Sequence, residues 1–440
     1  MAGLKEGQVL NTMNFKKVKV LRASKDKVEL GRGGQGIVYK VEYDGKPMAL
    51  KWYFKSKIER SPQKFFDNIK NNIDMGRPTE AFLWPEDLTE WVKGTFGYVM
   101  PLKPDGYSDF PDYLLTKVNF KSDAALINAA LNIVDGFMKL HFKGFSYQDL
   151  NDGNFFINFD NGDVLICDND NVRGQGFNAG IAGKYRYMAP EIVRGDKMPD
   201  MLTDRFSLAV VLFLLLFSNH PLEGRLTVKP DEPTTEADDM RFYGTDPVFI
   251  FDPKDTRNAP TRLTSANAIK YWGMVPEYIR SLFIEAFEHD RLHGIKPRPL
   301  ESTWLKALVR WRSEIVRCAC GDENYAEPKG GFICSCGKKG RIPARLSFSR
   351  QEVPLYPGVE LYACHTAADG DDFRTKTAEV ITNPKDPKIL GLRNLSDTVW
   401  TVTDKNGTSA PKGNNEVVRI SDGLTISFKN NFTAKIIANK

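Results

Sequence analysis

Asp149, Asn154 and Asp168 are the residues whose types and spacing could do chemistry. In Ser146-Tyr147-Gln148-Asp149-Leu150-Asn151-Asp152-Gly153-Asn154 an asparagine follows a lone aspartate by five positions, and Cys167-Asp168-Asn169-Asp170 puts another aspartate at the end of an apolar strand. Phosphoryl transfer asks little covalent chemistry of a protein. It needs a carboxylate to orient the incoming hydroxyl and oxygen ligands to hold Mg²⁺ on the nucleotide phosphates. Asp149 suits the first role, and Asn154 and Asp168 suit the second. Polar turns can produce the same spacing with no such role, so the elements around these residues must decide.

Those elements begin with Leu30-Gly31-Arg32-Gly33-Gly34-Gln35-Gly36-Ile37-Val38, a GxGxxG loop between two β-type runs. Glycines let backbone N–H groups approach phosphates closely. The strand that follows the loop argues against a helix-opening dinucleotide site. Next comes Met48-Ala49-Leu50-Lys51-Trp52, a strand with one lysine in an apolar setting. A buried lysine needs a partner, and a nucleotide phosphate would serve; an edge-strand lysine reaching solvent is the alternative reading.

Taken in order, these elements resemble a eukaryotic-type (bacterial) serine/threonine protein kinase domain, over about residues 30 to 316. The resemblance implies a bilobal α+β fold and a set of roles. Gly31, Gly33 and Gly36 would cover the ATP phosphates, Val38 would pack on adenine, and Lys51 would hold the α- and β-phosphates. Gly97-Tyr98-Val99-Met100-Pro101-Leu102-Lys103 looks like the strand into the hinge, with Met100 as gatekeeper and the backbone of Pro101 and Lys103 facing adenine. Asp149 would be the catalytic aspartate; Asn154 and Asp168 would bind Mg²⁺. Met188-Ala189-Pro190-Glu191 closes the activation segment, and Arg298 is the expected partner of Glu191.

The departures are informative. Tyr147-Gln148 stands where the family carries His-Arg, and Asp168 to Glu191 contains no Ser or Thr, only Tyr185 and Tyr187. Both halves of a phosphorylation switch are missing, which predicts activity independent of activation-loop phosphorylation. Asn169-Asp170 replaces Phe-Gly and should weaken the apolar tie to the upper lobe. Asn151 stands where the family has a lysine, and Lys184 where it has a threonine. Lys184 is therefore expected to neutralise the transferring phosphate, unless it is simply solvated. The helix that should pair an acid with Lys51 offers only Asp67, Asp74 or the more distant Glu59, so another acid or a displaced helix is expected.

Cys318-Ala319-Cys320-Gly321 and Cys334-Ser335-Cys336-Gly337 are two short knuckles. Paired thiolates suit tetrahedral Zn²⁺, with free thiols as the alternative. A segment this short has no core of its own, so a metal there would be structural. Cys364-His365 reads as ordinary content of the β-domain, with a ligand pair as the alternative. Beyond about residue 353 come alternating strand-like runs, with Asn406-Gly407 and Asp422-Gly423 at turn positions. With Leu390-Gly391-Leu392-Arg393-Asn394-Leu395-Ser396 and Asn406-Gly407 this tail loosely resembles a forkhead-associated β-sandwich, a resemblance that implies phosphoprotein binding; a plain docking module for a protein partner is the preferred reading. Three regions result: a kinase domain over 15–316, a zinc ribbon over 317–343, and a β-sandwich over 353–440.

The 440 residues carry a net charge of +5, 41% hydrophobic and 27% charged residues, which is globular and no argument for nucleic-acid binding. The longest apolar run, Leu208 to Phe217, has ten residues, half of the about 20 that span a membrane. Without a leader pattern at Met1 and with clustered cysteines, a reducing cytoplasm is expected. The order of kinase domain, zinc ribbon and β-sandwich resembles a bacterial signalling kinase, which implies protein substrates. A pseudokinase scaffold working through its zinc and β modules is the alternative, and transfer of AMP instead of phosphate is a third.

Overall fold

A computed structural model describes residues 3–58, 61–174, 183–228, 233–349, 351–367 and 370–439. The chain divides into two compact units, Met1–Lys121 with Ala129–Trp304, and Ser122–Asn128 with Leu305–Lys440.

The first unit opens with an antiparallel sheet of β1 (Val9–Asn11), β2 (Lys17–Val20), β3 (Glu29–Arg32), β4 (Gly36–Tyr43), β5 (Lys46–Tyr53), β6 (Asp87–Leu88) and β7 (Gly97–Pro101). The strand order is β1-β2-β4-β5-β7-β6, with β3 on β4. Side chains alternate faces along a strand. Leu50, Trp52 and Val99 therefore join Ile37 and Val41 in one apolar cluster. Ala49, Tyr53, Tyr98 and Met100 join another on the opposite face, packed against α1 (Pro62–Met75). Lys51 lies on that second face, between Ala49 and Tyr53. Register places Val38 opposite Lys51 and Lys51 opposite Tyr98, which lines these three across the sheet.

The helices include α2 (Asp123–Phe142), α3 (Met201–Phe217), α4 (Glu277–Ala286) and α5 (Glu301–Ser313), the start of α2 and most of α5 falling in the second unit; a hairpin of β8 (Phe155–Asn158) and β9 (Asp163–Ile166) belongs to the first. α3 is apolar nearly all round because it is buried nearly all round. Asp200 caps its start, accepting from the Leu202 and Thr203 N–H groups. In the connection that follows α3, Phe249 meets Phe213 edge-on at 5.7 Å, and Phe251 stacks on Trp272 at 4.1 Å.

The second unit holds two small hairpins, Ile315–Arg317 with Glu323–Tyr325 and Gly331–Ile333 with Lys339–Arg341. Two sheets follow. One orders Glu352–Leu355, Ala344–Ser347, Thr433–Ala438, Thr425–Ser427, Trp400–Thr403 and Ser409–Lys412; the other orders Glu360–Tyr362, Lys376–Asn383, Asp386–Asn394 and Val417–Arg419. Leu346, Ile426 and Ile436 of the first share a core with Leu361, Val380 and Leu392 of the second. Cys318 and Cys334 belong to that same core. Asn406-Gly407 turns a hairpin within one sheet, whereas Asp422-Gly423 carries the chain from one sheet to the other. Among the described residues no helix is long and apolar enough to cross a membrane.

Candidate active site

Lys51 anchors the site. Its Nζ lies 2.9 Å from Asp168 Oδ1 and 2.9 Å from both carboxylate oxygens of Asp170. Asp170 also accepts from the Tyr53 hydroxyl at 2.6 Å and the Tyr98 hydroxyl at 3.2 Å. The side chain of Lys51 is 8% exposed and that of Asp170 0%, while Asp168 remains 46% exposed. Burial alone would favour the neutral amine, but the charges of Asp170 and then Asp168 hold the lysine above its ordinary value. Burial would likewise protonate Asp170, and Lys51 and the Tyr53 hydroxyl more than reverse it.

Local backbone puts both acids on one lysine. Asp168 adopts a left-handed conformation, φ 57°, and opens the single turn Asn169–Asn171. Asn169 donates to the carbonyls of Leu83 (2.9 Å) and Ile166 (3.0 Å). Where loss of an apolar tie is expected from the sequence, the segment is instead held by these two hydrogen bonds. The helix acids considered for Lys51 lie elsewhere. Asp67 accepts from Gln63 at 2.8 Å on an exposed face of α1, and Asp74 is exposed. Glu59 falls outside the described residues. The face of α1 toward the segment carries amides: Asn68 and Asn72 both donate to the Val172 carbonyl at 3.0 Å. Asp170, Tyr53 and Tyr98 were missed by sequence reasoning. Their signal was an acid at the position of a family glycine, coupled to tyrosines one strand period from Lys51 and directly opposite it.

The catalytic loop hangs from α3. Asp204 accepts from the backbone N–H of Tyr147 at 2.6 Å and of Gln148 at 3.2 Å, and Gln148 takes φ 65°. Asp149 follows, with Asn171 Nδ2 3.4 Å from its Oδ2. Burial first, then the charge of Asp168, raises its carboxyl to about 6, against an opposing pull from Lys184 and Lys51. Lys184 donates to Asn151 Oδ1 at 3.1 Å, so the two departures from the family pattern meet. Asn154 Oδ1 accepts from the Asn151 N–H at 2.7 Å, which leaves its second lone pair for a metal.

The glycine loop presents bare backbone. A Cβ on Gly31 or Gly33 would meet nothing within 4 Å, while one on Gly36 would strike the Trp52 carbonyl at 2.3 Å. Gly36 thus sets the strand spacing, and Gly31 and Gly33 leave a cradle of bare backbone. Val38, Met100, Leu102, Phe156 and Leu165 join one apolar cluster, a surface suited to a flat base. Lys103 lies over the Phe156 ring at 4.3 Å.

Arg298 closes the segment's far end. It grips the Glu191 carboxylate with two parallel bonds, 2.7 and 2.8 Å, both side chains being buried. Ser207 of α3 donates to the Tyr187 carbonyl at 2.6 Å.

In the second unit the sulfurs of Cys318, Cys320, Cys334 and Cys336 all lie within 4.8 Å of one another, a group that could hold a metal ion. The pairs Cys318–Cys336 and Cys320–Cys334 stand 3.8 and 3.5 Å apart. Tetrahedral coordination with Zn–S of about 2.3 Å requires sulfurs about 3.8 Å apart, so the donor set fits. Gly321 and Gly337 follow their pairs at φ 102° and 83°, conformations that turn each knuckle back under its thiols. The Cys336 N–H helps lower Cys334 to about 6. Cys364 stays outside this cluster; His365 is fully buried and bonded to Ser313 Oγ at 2.8 Å.

Lys51, its paired acids, the Asp149 loop and the glycine loop on this fold make up a protein-kinase-like site. A family model described as "Protein kinase domain" matches residues 24–243, and the chain belongs to that family. It is 24% identical over 318 residues to protein kinase YegI of Escherichia coli K12, covering 66% of this chain and 45% of that protein. It is 28% identical over 205 residues to mouse protein kinase C delta type, covering 44% and 29%. It is 33% identical over 112 residues to the serine/threonine-protein kinase AtPK2/AtPK19 of Arabidopsis thaliana, covering 24% and 22%. The chain thus spans less than half the length of these relatives.

Proposed function

We propose that this chain is an Mg²⁺-dependent serine/threonine protein kinase that transfers the γ-phosphate of ATP to protein substrates. The observation that carries the reading is that Lys51 Nζ lies 2.9 Å from Asp168 Oδ1 while Asn171, on the turn that Asp168 opens, reaches Asp149 at 3.4 Å. Asp149 orients the substrate hydroxyl and accepts its proton as the oxygen bonds to the γ-phosphorus and the bond to the β–γ bridging oxygen breaks. Lys51 holds the α- and β-phosphates. Lys184, beside Asn151, supplies positive charge where the transferring phosphate passes. Asn154 and Asp168 would hold Mg²⁺, which when bound neutralises the phosphate oxygens.

Activity without activation-loop phosphorylation follows from Gln148 in place of arginine and from a segment without Ser or Thr. The four cysteines are read as a structural Zn²⁺ ribbon. The β-domain is read as a docking module for a protein partner, phosphorylated or not. We place the kinase in a bacterial cytoplasm, in keeping with its likeness to the E. coli kinase.

The test is mass spectrometry of the purified chain with MgATP and a generic protein acceptor, beside Asp149→Asn and Asp168→Ala. A phosphate increment on Ser or Thr in wild type, lost in both variants, is expected. An AMP increment would mean nucleotide transfer instead, and no increment would favour a scaffold.

A further inference from the structure

We infer that Asp170 is the positioning residue of the nucleotide-binding lysine, so that Lys51 is set by the segment carrying Asp168 and not by an acid on α1. This rests on the kinase reading of the site.

Lys51 reaches Asp170 with two contacts of 2.9 Å, and the carboxylate has no exposed surface. Two phenols complete its shell. Tyr53 sits one strand period from Lys51, and Tyr98 sits directly opposite it in register. The acid is therefore fixed by the same two strands that carry the lysine. Asn169 locks the preceding turn to Leu83, and Arg173 donates to the Asp170 and Val172 carbonyls. α1 offers no competing charge among its described residues. Its two acids are exposed, and it meets the segment through amides on the Val172 carbonyl.

A lysine paired to a helix acid loses its orientation when the helix swings away. Here the counter-ion belongs to the metal-binding segment itself, two residues from Asp168. Displacement of α1 leaves Lys51 in place, whereas displacement of 168–173 removes a metal ligand and the lysine's partner together.

A double-mutant cycle tests this in turnover and in ATP affinity by calorimetry, using Asp170→Asn, Lys51→Met and the pair, with melting curves as a fold check. Asp170→Asn is expected to lower kcat about a hundredfold, the scale of losing one positioning contact. The pair should be no worse than Lys51→Met alone, because both changes disable one unit. Tyr53→Phe, which removes one donor to Asp170 and keeps the ring, should lose less, in kcat and not in KM for the protein substrate. Asp67→Ala and Asp74→Ala should match wild type. Additive losses in the cycle, or wild-type turnover in Asp170→Asn with a loss in a helix-acid variant, would overturn the inference. A wild type that binds ATP but transfers nothing defeats the kinase reading alone, and the Lys51–Asp170 coupling is then read in affinity.

Discussion

The Lys51 centre and the four-cysteine centre both gather polar groups from separated stretches of chain, but they balance charge in opposite ways. Around Lys51 one ammonium meets two carboxylates, and two phenols finish the shell, so the folded chain supplies every partner. Around the cysteines, sulfurs face one another and the Asp322 carboxylate. The first is complete as folded; the second is a set of like donors that could hold a cation. A buried network of opposite charges fixes its members in place, whereas a cluster of like donors suits a metal.

That contrast can be broken most forcefully at the cysteines. Metal binding in small zinc segments is worth about 10 kcal/mol or more and is coupled to folding. A strong chelator should therefore strip one zinc per chain and erase amide protection over 315–341. Elemental analysis and hydrogen exchange check this, and a chain purified metal-free with full protection would refute the zinc reading. At the lysine the prediction concerns partner loss. Asp170→Ala leaves a buried ammonium short of charge and should cost about 3–5 kcal/mol in denaturant unfolding. Asp168→Ala, at a half-exposed carboxylate, should cost clearly less; equal costs would remove the distinction between the two acids.

A third buried charge cluster gives a signed pH effect. Burial alone would depress His141, but hydrogen bonds to Asp204 and Glu301 raise it to about 9. The native state therefore holds a proton that the unfolded chain releases near its ordinary value of about 6.5. This stabilisation is fully present below about 6.5 and is lost as pH rises through about 9. The melting temperature should fall over that interval, and His141→Gln should flatten the fall.

The catalytic loop yields smaller effects. Lys184→Ala should slow turnover about a hundredfold, as when one charge-stabilising donor is lost, against no change for solvent-facing Lys17→Ala. With Asp149 raised to about 6, kcat/KM should fall with acid below that pH. Lys184 pulls Asp149 down, so its removal should move the acid limb upward; an unmoved limb would separate the two residues. The smallest effect is expected at Asp67→Ala, within about 0.5 kcal/mol in stability, as for other surface changes.

Motifs that depend on short spacing were legible early. The glycine loop, the Asp149–Asn154 interval and the paired cysteines each make sense within a few residues of chain, because one turn or one strand brings them together. Lys184 was legible only as a displacement from Asn151, and the 3.1 Å contact joins residues 33 positions apart. The partner of Lys51 was sought on α1 because sequence distance pointed there. It lies 119 positions away, on the turn after β9, where a left-handed Asp168 swings the next acid inward. Asp422-Gly423 similarly reads as a hairpin turn but joins two different sheets, a choice made by which core each flanking strand faces.

By itself the sequence determined the class of the chain: an α+β kinase domain, a cysteine segment and β-rich strands, since periodicity and glycine placement act locally. Only tertiary structure decided which acid holds Lys51, why α1 can do without one, and that Cys318 and Cys334 share their core with the β-sheets. Charge pairing inside a protein is settled by burial and strand register. Those bring together residues that no spacing along the chain relates.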